Sequence, residues 1–145
     1  MTDYSKEGTR RTVTVKTEAG ESTLNYYEAG TPTPTGGGLP LVMLHGGGPG
    51  ASAWSNFGSA LPGFAEHFRT LLVDQPGFGA SDKPAVVGNY YRHSADHVVR
   101  LLDELGIDRV QAETYAMMLG FEERIAAIRH ISATLMERDA SLSPA

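Results

Sequence analysis

Two short apolar segments, each followed at once by a loop of glycine and proline, constrain the fold of this chain most strongly. The first is LPLVML (Leu39–Leu44), which leads into HGGGPG, and the second is RTLLVD (Arg69–Asp74), which leads into QPGFG. Apolar runs without alternation are typical of strands that are buried on both faces of a parallel sheet. The sequence therefore predicts two central strands of an α/β sheet, and the glycines let the loop after each strand approach another group closely.

An antiparallel hairpin is expected to precede these strands. Thr12–Thr17 alternates β-branched with other residues, Ser22–Ala29 has a similar pattern, and a turn glycine lies between them. Between the two central strands, residues 52–67 have helical character, which Pro62-Gly63 is expected to interrupt.

The clearest helix is predicted for Tyr91–Leu105, where apolar residues recur at helical spacing and Gly106 follows as a C-terminal cap. Ile107–Glu113 is the next predicted strand, and Tyr115–Arg138 is predicted to be helical. Strands that alternate with helices favour parallel pairing through crossover helices. The predicted fold class is therefore α/β, with an antiparallel hairpin followed by parallel strands.

Composition limits the domain organisation and excludes several kinds of partner. The 145 residues are expected to form one domain (1–145), and 12 basic against 17 acidic residues give a net charge of −5. This balance provides no basic surface for nucleic acid or an anionic membrane, and no apolar run of roughly 18 residues is present to span a bilayer. The sequence holds no cysteine, and its N-terminus has no apolar signal segment. We therefore expect a cytoplasmic protein without a nucleic-acid or membrane partner.

The segment HGGGPG (residues 45–50), here called the glycine loop, has two possible uses. A glycine-rich turn after a buried strand either cradles a phosphate or presents backbone N–H groups to an oxyanion. The phosphate-binding patterns do not fit, because the loop has no lysine followed by Ser or Thr, and Pro49 interrupts the G-x-G-x-x-G spacing. His-Gly-Gly-Gly instead matches the oxyanion-loop pattern of esterases and related hydrolases.

Two longer segments make this match more specific. LHGGGPGASAWSNF and VDQPGFGASDK together resemble the meta-cleavage product hydrolases, and the resemblance runs from about Leu24 to Val110. Members of that family have the α/β hydrolase fold and hydrolyse a carbon–carbon bond in ring-opened aromatic or steroid catabolites. The resemblance implies a small-molecule substrate and no metal or organic cofactor.

The resemblance also implies roles for residues of the glycine loop and the segment after it. Gly47 is expected to donate an oxyanion-hole N–H, and Asn56 is expected to line the substrate site. Gly46 and Gly48 are assigned to the same substrate-binding surface, where glycine also serves the backbone geometry.

Neighbouring residues are expected to have structural roles. His45 is expected to support the glycine loop, and Trp54 is expected to pack in the core rather than contact substrate. Asp74 and Asp82 are interpreted as residues that anchor the second loop, and Gly50 as a residue required by backbone geometry.

The chain departs from the family pattern after its last predicted strand. A hydrolase of this type needs a serine in a G-x-S-x-G turn there, followed by an acid and a histidine. The sequence instead reads TYAMM (Thr114–Met118), which places Ala116 at the serine position if the register holds. No other serine has this setting, and no histidine lies where the base is expected. The nucleophile and the catalytic histidine are therefore expected to be missing, and the fold is predicted to be a truncated N-terminal half.

Residues 111–145 are expected to form a divergent helical tail, whose origin has two interpretations. The tail is either a diverged serine turn and helix, or sequence derived from the helical lid of the same family. Ile131–Ala145 has a faint resemblance to that lid. Both interpretations lead to the same chemistry, with the glycine loop present and the nucleophile absent.

Three functional classes remain open. The first is a carbon–carbon or ester hydrolase that is inactive as this chain alone, and the second is a non-catalytic interaction module or gene remnant. A nucleotide-binding module has only the glycine loop in its favour. Because a sheet ending after five strands leaves an exposed edge, we also expect self-association or dependence on a partner.

Overall fold

The computed structural model describes residues 2–31, 38–108 and 110–114. The predicted helix Tyr115–Arg138, the serine position at Ala116 and the lid-like segment Ile131–Ala145 lie outside the described residues.

The N-terminal hairpin is confirmed and is longer than predicted. A four-residue helix, α1 (Lys6–Thr9), leads into β1 (Arg10–Thr17), which pairs antiparallel with β2 (Gly20–Ala29). Gly20 begins β2 at φ +96°, a conformation that glycine adopts without a steric penalty.

The described strands form one mixed sheet in the order β1-β2-β4-β3-β5. The two central strands are β3 (Leu41–Leu44) and β4 (Thr70–Val73), which pair in parallel, while β2 runs antiparallel to β4. The last described strand, β5 (Gln111–Thr114), pairs in parallel with the other side of β3. The predicted α/β class is confirmed, and the carboxyl ends of β3, β4 and β5 meet at one edge of the sheet.

The prediction that β5 begins at Ile107 is wrong, and the reason lies in how the preceding helix ends. Helix α4 (Tyr90–Glu104) is followed by Gly106 at φ +68°, as predicted for its cap. The Ile107 N–H donates to the Leu102 carbonyl at 2.9 Å, and the Gly106 N–H donates to the Asp103 carbonyl at 3.0 Å. This Schellman arrangement makes Ile107 the apolar residue that closes the helix end, so the strand starts later.

The interruption of the first crossover helix also lies elsewhere than predicted. Two short helices, α2 (Ala53–Phe57) and α3 (Leu61–Ala65), are separated by a 3₁₀ turn at Gly58–Ala60. Pro62 lies in the first turn of α3, where its missing N–H is not needed. The prediction of a break at Pro62-Gly63 is therefore wrong, because proline begins the second helix instead of ending the first.

Both faces of the central strands are buried, as their composition predicts. Every residue of β3 and β4 is buried. Val42 and Leu44 belong to the core cluster that includes α4, whereas Leu41 and Met43 belong to the cluster that includes α2 and α3. The sheet thus separates two layers of helix, and the glycine loop emerges between them at the carboxyl end of β3.

Candidate functional site

A cavity of about 520 Å³ opens beside the glycine loop, at the carboxyl end of β3. It brings together Gly46, Gly47 and Asn56, three of the residues that the sequence assigns to the site. Gly48 lies outside the cavity lining, in an exposed turn where its carbonyl accepts the Ala51 N–H at 3.0 Å. Among the described residues, the lining consists of Met43, Gly46, Gly47, Ala51, Ser55, Asn56, Phe57, Ala60 and Phe64.

The cavity lining combines polar groups with apolar side chains. The polar groups are the backbone of the glycine loop and the side chains of Ser55 and Asn56, which lie 3.4 Å apart from Ser55 Oγ to Asn56 Oδ1. The largest apolar side chains of the lining are Phe57 and Phe64, from α2 and α3. Such a cavity suits a ligand with one polar or charged end and a hydrocarbon body.

Helix α2 holds Asn56 at this cavity through a capping box. The Ser52 hydroxyl accepts the Ser55 N–H at 3.1 Å, and the Ser55 hydroxyl accepts the Ser52 N–H at 3.0 Å. The Asn56 N–H donates to the Ser52 carbonyl at 3.2 Å, which places Asn56 in the first turn. Reciprocal capping satisfies N–H groups that a short helix would otherwise leave without a partner.

His45 supports the glycine loop, as predicted. Its ring is almost completely buried (2% exposed) and stacks edge-on with Phe78 at a centroid distance of 5.1 Å. Its Nδ1 lies 2.7 Å from the Gly46 carbonyl oxygen, and its Nε2 accepts the backbone N–H of Gln75 at 3.1 Å. Both imidazole nitrogens therefore contact backbone groups, one in the glycine loop and the other directly after β4.

Gln75 is a residue of this site that the sequence analysis missed. Its side-chain Nε2 donates to the His45 carbonyl at 2.6 Å, and its Oε1 accepts from the Ser94 hydroxyl at 2.8 Å. Gln75 thus joins the glycine loop to helix α4. The available signal was its place directly after β4, because the carboxyl ends of neighbouring parallel strands lie side by side.

Asp74 anchors the second loop, residues 74–82, as predicted. Its carboxylate is buried (1% exposed) and accepts three hydrogen bonds: from Asn25 Nδ2 at 2.9 Å, from the Ala80 N–H at 3.0 Å and from the Ala53 N–H at 2.8 Å. The last of these places the carboxylate at the first residue of α2, and the N-terminus of a helix favours an anion. One carboxylate therefore connects β2, the second loop and the helix that carries Asn56.

Asp82 anchors the far end of the same loop. Its Oδ2 accepts the Thr23 N–H at 2.8 Å, and its own N–H donates to the Thr23 carbonyl at 2.9 Å. Beside it, the Ser81 hydroxyl donates to the Asp74 carbonyl at 2.7 Å and accepts the Asn25 N–H at 2.8 Å. The loop-anchoring interpretation of both aspartates is confirmed.

Helix α4 also fixes the second loop through Tyr90. Its hydroxyl donates to the Pro76 carbonyl at 2.9 Å, and its ring meets Phe78 edge-on at 6.1 Å. Burial raises the pKa of Tyr90 to about 12, so the phenol stays protonated and able to donate.

Trp54 packs in the core, as predicted. Its ring lies 5.0 Å from that of Tyr27, centroid to centroid, and it is absent from the cavity lining. A Cβ atom on Gly58 would come 2.6 Å from the indole, so only glycine leaves room for the tryptophan at this position.

Two further histidines, His93 and His97, lie side by side on α4 with ring centroids 4.5 Å apart. Burial, reinforced by the neighbouring His97, lowers the pKa of His93, while Asp96 opposes that shift. Over the described ranges, no three His, Asp or Glu side chains lie close enough together to hold a metal ion. Nor do those ranges contain a helix of the length and hydropathy that crossing a membrane requires.

Comparison with protein families and curated proteins gives a consistent result. The family model described as the α/β hydrolase fold matches residues 40–112. A 2-hydroxy-6-oxononadienedioate/2-hydroxy-6-oxononatrienedioate hydrolase of Burkholderia vietnamiensis is 33% identical over 88% of this chain and 47% of its own length. A 2-hydroxymuconate semialdehyde hydrolase of a Pseudomonas species is 39% identical over 66% of this chain and 34% of its own. The chain thus spans about half, or less, of the length of these relatives.

Solved structures show the same likeness. The meta-cleavage product hydrolase CumD of Pseudomonas fluorescens, solved with acetates bound, has a TM-score of 0.57 and 28% identity, covering 69% of this chain and 34% of that one. The 2-hydroxy-6-oxo-6-phenylhexa-2,4-dienoate hydrolase BphD of Rhodococcus has a TM-score of 0.64 and 25% identity, covering 90% and 44%.

Proposed function

The chain belongs to the α/β hydrolase fold family and is related to the meta-cleavage product hydrolases, and from this premise we propose that it carries the oxyanion-binding part of a carbon–carbon bond hydrolase. The substrate class is a ring-opened aromatic or steroid catabolite with a dienoate group. The observation that carries the proposal is the shared cavity, in which Gly46, Gly47 and Asn56 meet beside the end of β3.

Gly47 is the proposed donor to the oxyanion. When a carbonyl is attacked, its oxygen gains negative charge, and a fixed backbone N–H stabilises that charge more than it stabilises the ground state. Asn56 and Gly46 would contact the polar part of the substrate, whereas Gly48 lies outside the cavity lining. Phe57 and Phe64 of the cavity lining would contact its hydrocarbon part. No step of this role requires a metal or an organic cofactor.

The polypeptide of these 145 residues is proposed to lack hydrolase activity of its own. Thr114, the last residue of β5, pairs with Leu44, so the chain leaves β5 at the edge where the glycine loop lies. A hydrolase of this fold has its nucleophilic serine directly after such a strand. The sequence Thr114–Met118 contains no serine and no glycine, and Ala116 occupies the expected nucleophile position.

The missing nucleophile also favours a second candidate function, that of a non-catalytic interaction module or gene remnant. Within the described sheet, β1 and β5 each pair on one side, and an unpaired strand edge is a template for pairing with another chain. We propose self-association through such an edge. Sedimentation velocity should then show species larger than a monomer, and a single monomer boundary at all concentrations would contradict this.

Turnover of a chromogenic 2-hydroxy-6-oxo-dienoate tests the hydrolase proposal. We expect the 145-residue polypeptide to leave the dienoate absorbance unchanged. Loss of absorbance that disappears in Gly47→Pro, which removes the amide, and persists in Gly48→Ala, which retains it, would overturn the inactive assignment while supporting the role of Gly47.

Anion binding tests the glycine loop directly. In NMR titrations with acetate, a small carboxylate, the Gly47 amide signal should move more than other amide signals, and Gly47→Pro should abolish binding. Acetate that perturbs only amides outside the cavity would contradict the proposed role of Gly47.

A further inference from the structure

Gln75 lies outside the cavity lining, yet it contacts the glycine loop at two points and helix α4 at a third. We propose that Gln75 is a positioning residue: by holding His45, it sets the direction in which the Gly47 N–H points. The inference rests on the proposed function, in which that N–H receives the oxyanion. We call the hydrogen bonds among Ser94, Gln75, His45 and Gly46 the Gln75 network.

The first step concerns the proton on the imidazole of His45. The backbone N–H of Gln75 donates to Nε2 of His45 at 3.1 Å, so Nε2 carries a lone pair and no hydrogen. A neutral imidazole then has its hydrogen on Nδ1. The partner of Nδ1 is the Gly46 carbonyl oxygen at 2.7 Å, which only accepts, so both contacts require the same tautomer. Gln75 thereby selects the form of His45 that donates to Gly46.

The second step follows from the planarity of the peptide bond. The Gly46 carbonyl and the Gly47 N–H belong to one planar trans unit, in which they point in opposite directions. With the carbonyl held toward the His45 ring, the Gly47 N–H points away from that ring. The ring is buried outside the cavity lining, whereas Gly46 and Gly47 both line the cavity. The His45 contact therefore orients the proposed donor toward the cavity.

The third step concerns the side chain of Gln75. Its Nε2 donates to the His45 carbonyl at 2.6 Å, and because that carbonyl only accepts, the amide must turn its NH₂ group toward His45. Its Oε1 then faces the Ser94 hydroxyl, which donates at 2.8 Å from a residue that is 3% exposed. Gln75 thus holds His45 by both ring and backbone, and α4 fixes the rotamer of Gln75. Glycines on their own impose no such direction on a loop.

NMR of the wild-type polypeptide provides a test that needs no substitution. Long-range ¹H–¹⁵N spectra of the His45 ring distinguish a protonated Nδ1 from a protonated Nε2. We expect the hydrogen on Nδ1 near neutral pH. A hydrogen on Nε2 would overturn the proposal.

Substitutions test the link to Gly47. Gln75→Met preserves the length of the side chain and removes both side-chain amide contacts, whereas Asp82→Asn changes only the far end of the second loop, where the carboxylate accepts the Thr23 N–H. In Gln75→Met, we expect the Gly47 amide signal to shift or broaden without any anion, and acetate binding to weaken about fivefold, the factor for one neutral hydrogen bond. Asp82→Asn should leave both quantities at their wild-type values, and Ser94→Ala should move them in the same direction as Gln75→Met.

The outcomes separate this proposal from the function on which it rests. If acetate fails to perturb Gly47 in the wild type, the oxyanion role fails, while the anion-free Gly47 signal of the variants still decides the role of Gln75. If Gln75→Met and Ser94→Ala leave that signal unchanged, or if Asp82→Asn changes it equally, the positioning role is overturned whatever acetate does. Should Gln75→Met not fold, Ser94→Ala decides the matter, because it removes the contact that fixes the Gln75 side chain and leaves the backbone N–H of Gln75 in place.

Discussion

Gly79 lies directly against the side chain of Asp74, so that a Cβ atom on the glycine would overlap the carboxylate. Gly79 also has φ +54°, in the left-handed region that favours glycine. Both constraints arise because the second loop folds back over Asp74, the residue that joins β2, the loop and α2. The loop can therefore fold over Asp74 in this way only with a glycine at position 79.

Gly79→Ala is expected to destabilise the protein more than Gly77→Ala. Both glycines have positive φ, but a Cβ on Gly77 would meet nothing within 4 Å. The control therefore carries only the backbone strain, about 1 kcal/mol, and Gly79→Ala adds an overlap worth about 1–3 kcal/mol. Urea unfolding followed by fluorescence measures both. Equal losses for the two variants would show that the loop moves away from Asp74 at no cost.

Asp74→Asn is expected to lower the free energy of unfolding by about 2–4 kcal/mol. An asparagine has one acceptor oxygen in place of two, so its NH₂ group would face an N–H donor in a buried site. Asp82→Asn is the matched control, because Asp82 is exposed and its carboxylate accepts one backbone N–H. Denaturant unfolding of the two variants provides the comparison, and an Asp82→Asn loss as large as that of Asp74→Asn would contradict the central role of Asp74.

Acid is expected to destabilise the protein through His93. Its folded-state pKa is lowered, first by burial and then by His97, so the unfolded chain takes up a proton before the folded one does. Above the ordinary value of 6.5 both states are neutral and His93 has no effect, and stability is lost as the pH falls from there toward the folded pKa. His93→Gln should reduce the difference in unfolding free energy between about pH 7.5 and about pH 5.5. An unchanged difference would show that other groups cause the acid sensitivity.

Trp54→Ala is expected to reduce stability without changing acetate affinity. The indole fills the space between Tyr27 and Gly58, so its removal should cost about 2–3 kcal/mol for a partly buried side chain. Thermal unfolding followed by circular dichroism measures the loss, since Trp54 is the sole tryptophan and its fluorescence disappears with it. A loss of acetate affinity in the folded variant would mean that the tryptophan contributes to the site.

Burial patterns in the sequence were sufficient to predict the sheet but not all element ends. Leu41–Leu44 is apolar at every position because one helix layer covers each face, and that requirement is visible in the sequence itself. The start of β5 depends on a hydrogen bond that closes α4 at Ile107, and the role of Pro62 depends on where α3 begins. Such ends are decided by local capping geometry, which an apolar pattern does not contain.

The candidate site was predictable only where a motif carries it. Gly47 and Asn56 follow from the resemblance, and the cavity does bring them together. Gln75 could not be assigned from its own segment, because its partners lie in the glycine loop and on α4, far away in sequence. Its role arises from the parallel pairing of β3 with β4, which places two loop starts side by side.

The position of β3 in the sheet has a consequence for how the chain folds during its synthesis. Strands β1 to β4 can pair as soon as Val73 has left the ribosome, but β3 then forms an apolar edge until Gln111–Thr114 is translated. Apolar edges of partly folded chains readily pair with other molecules. The strand that carries the glycine loop is thus the last of the central strands to be enclosed, and it stays open to pairing with other molecules until β5 has left the ribosome.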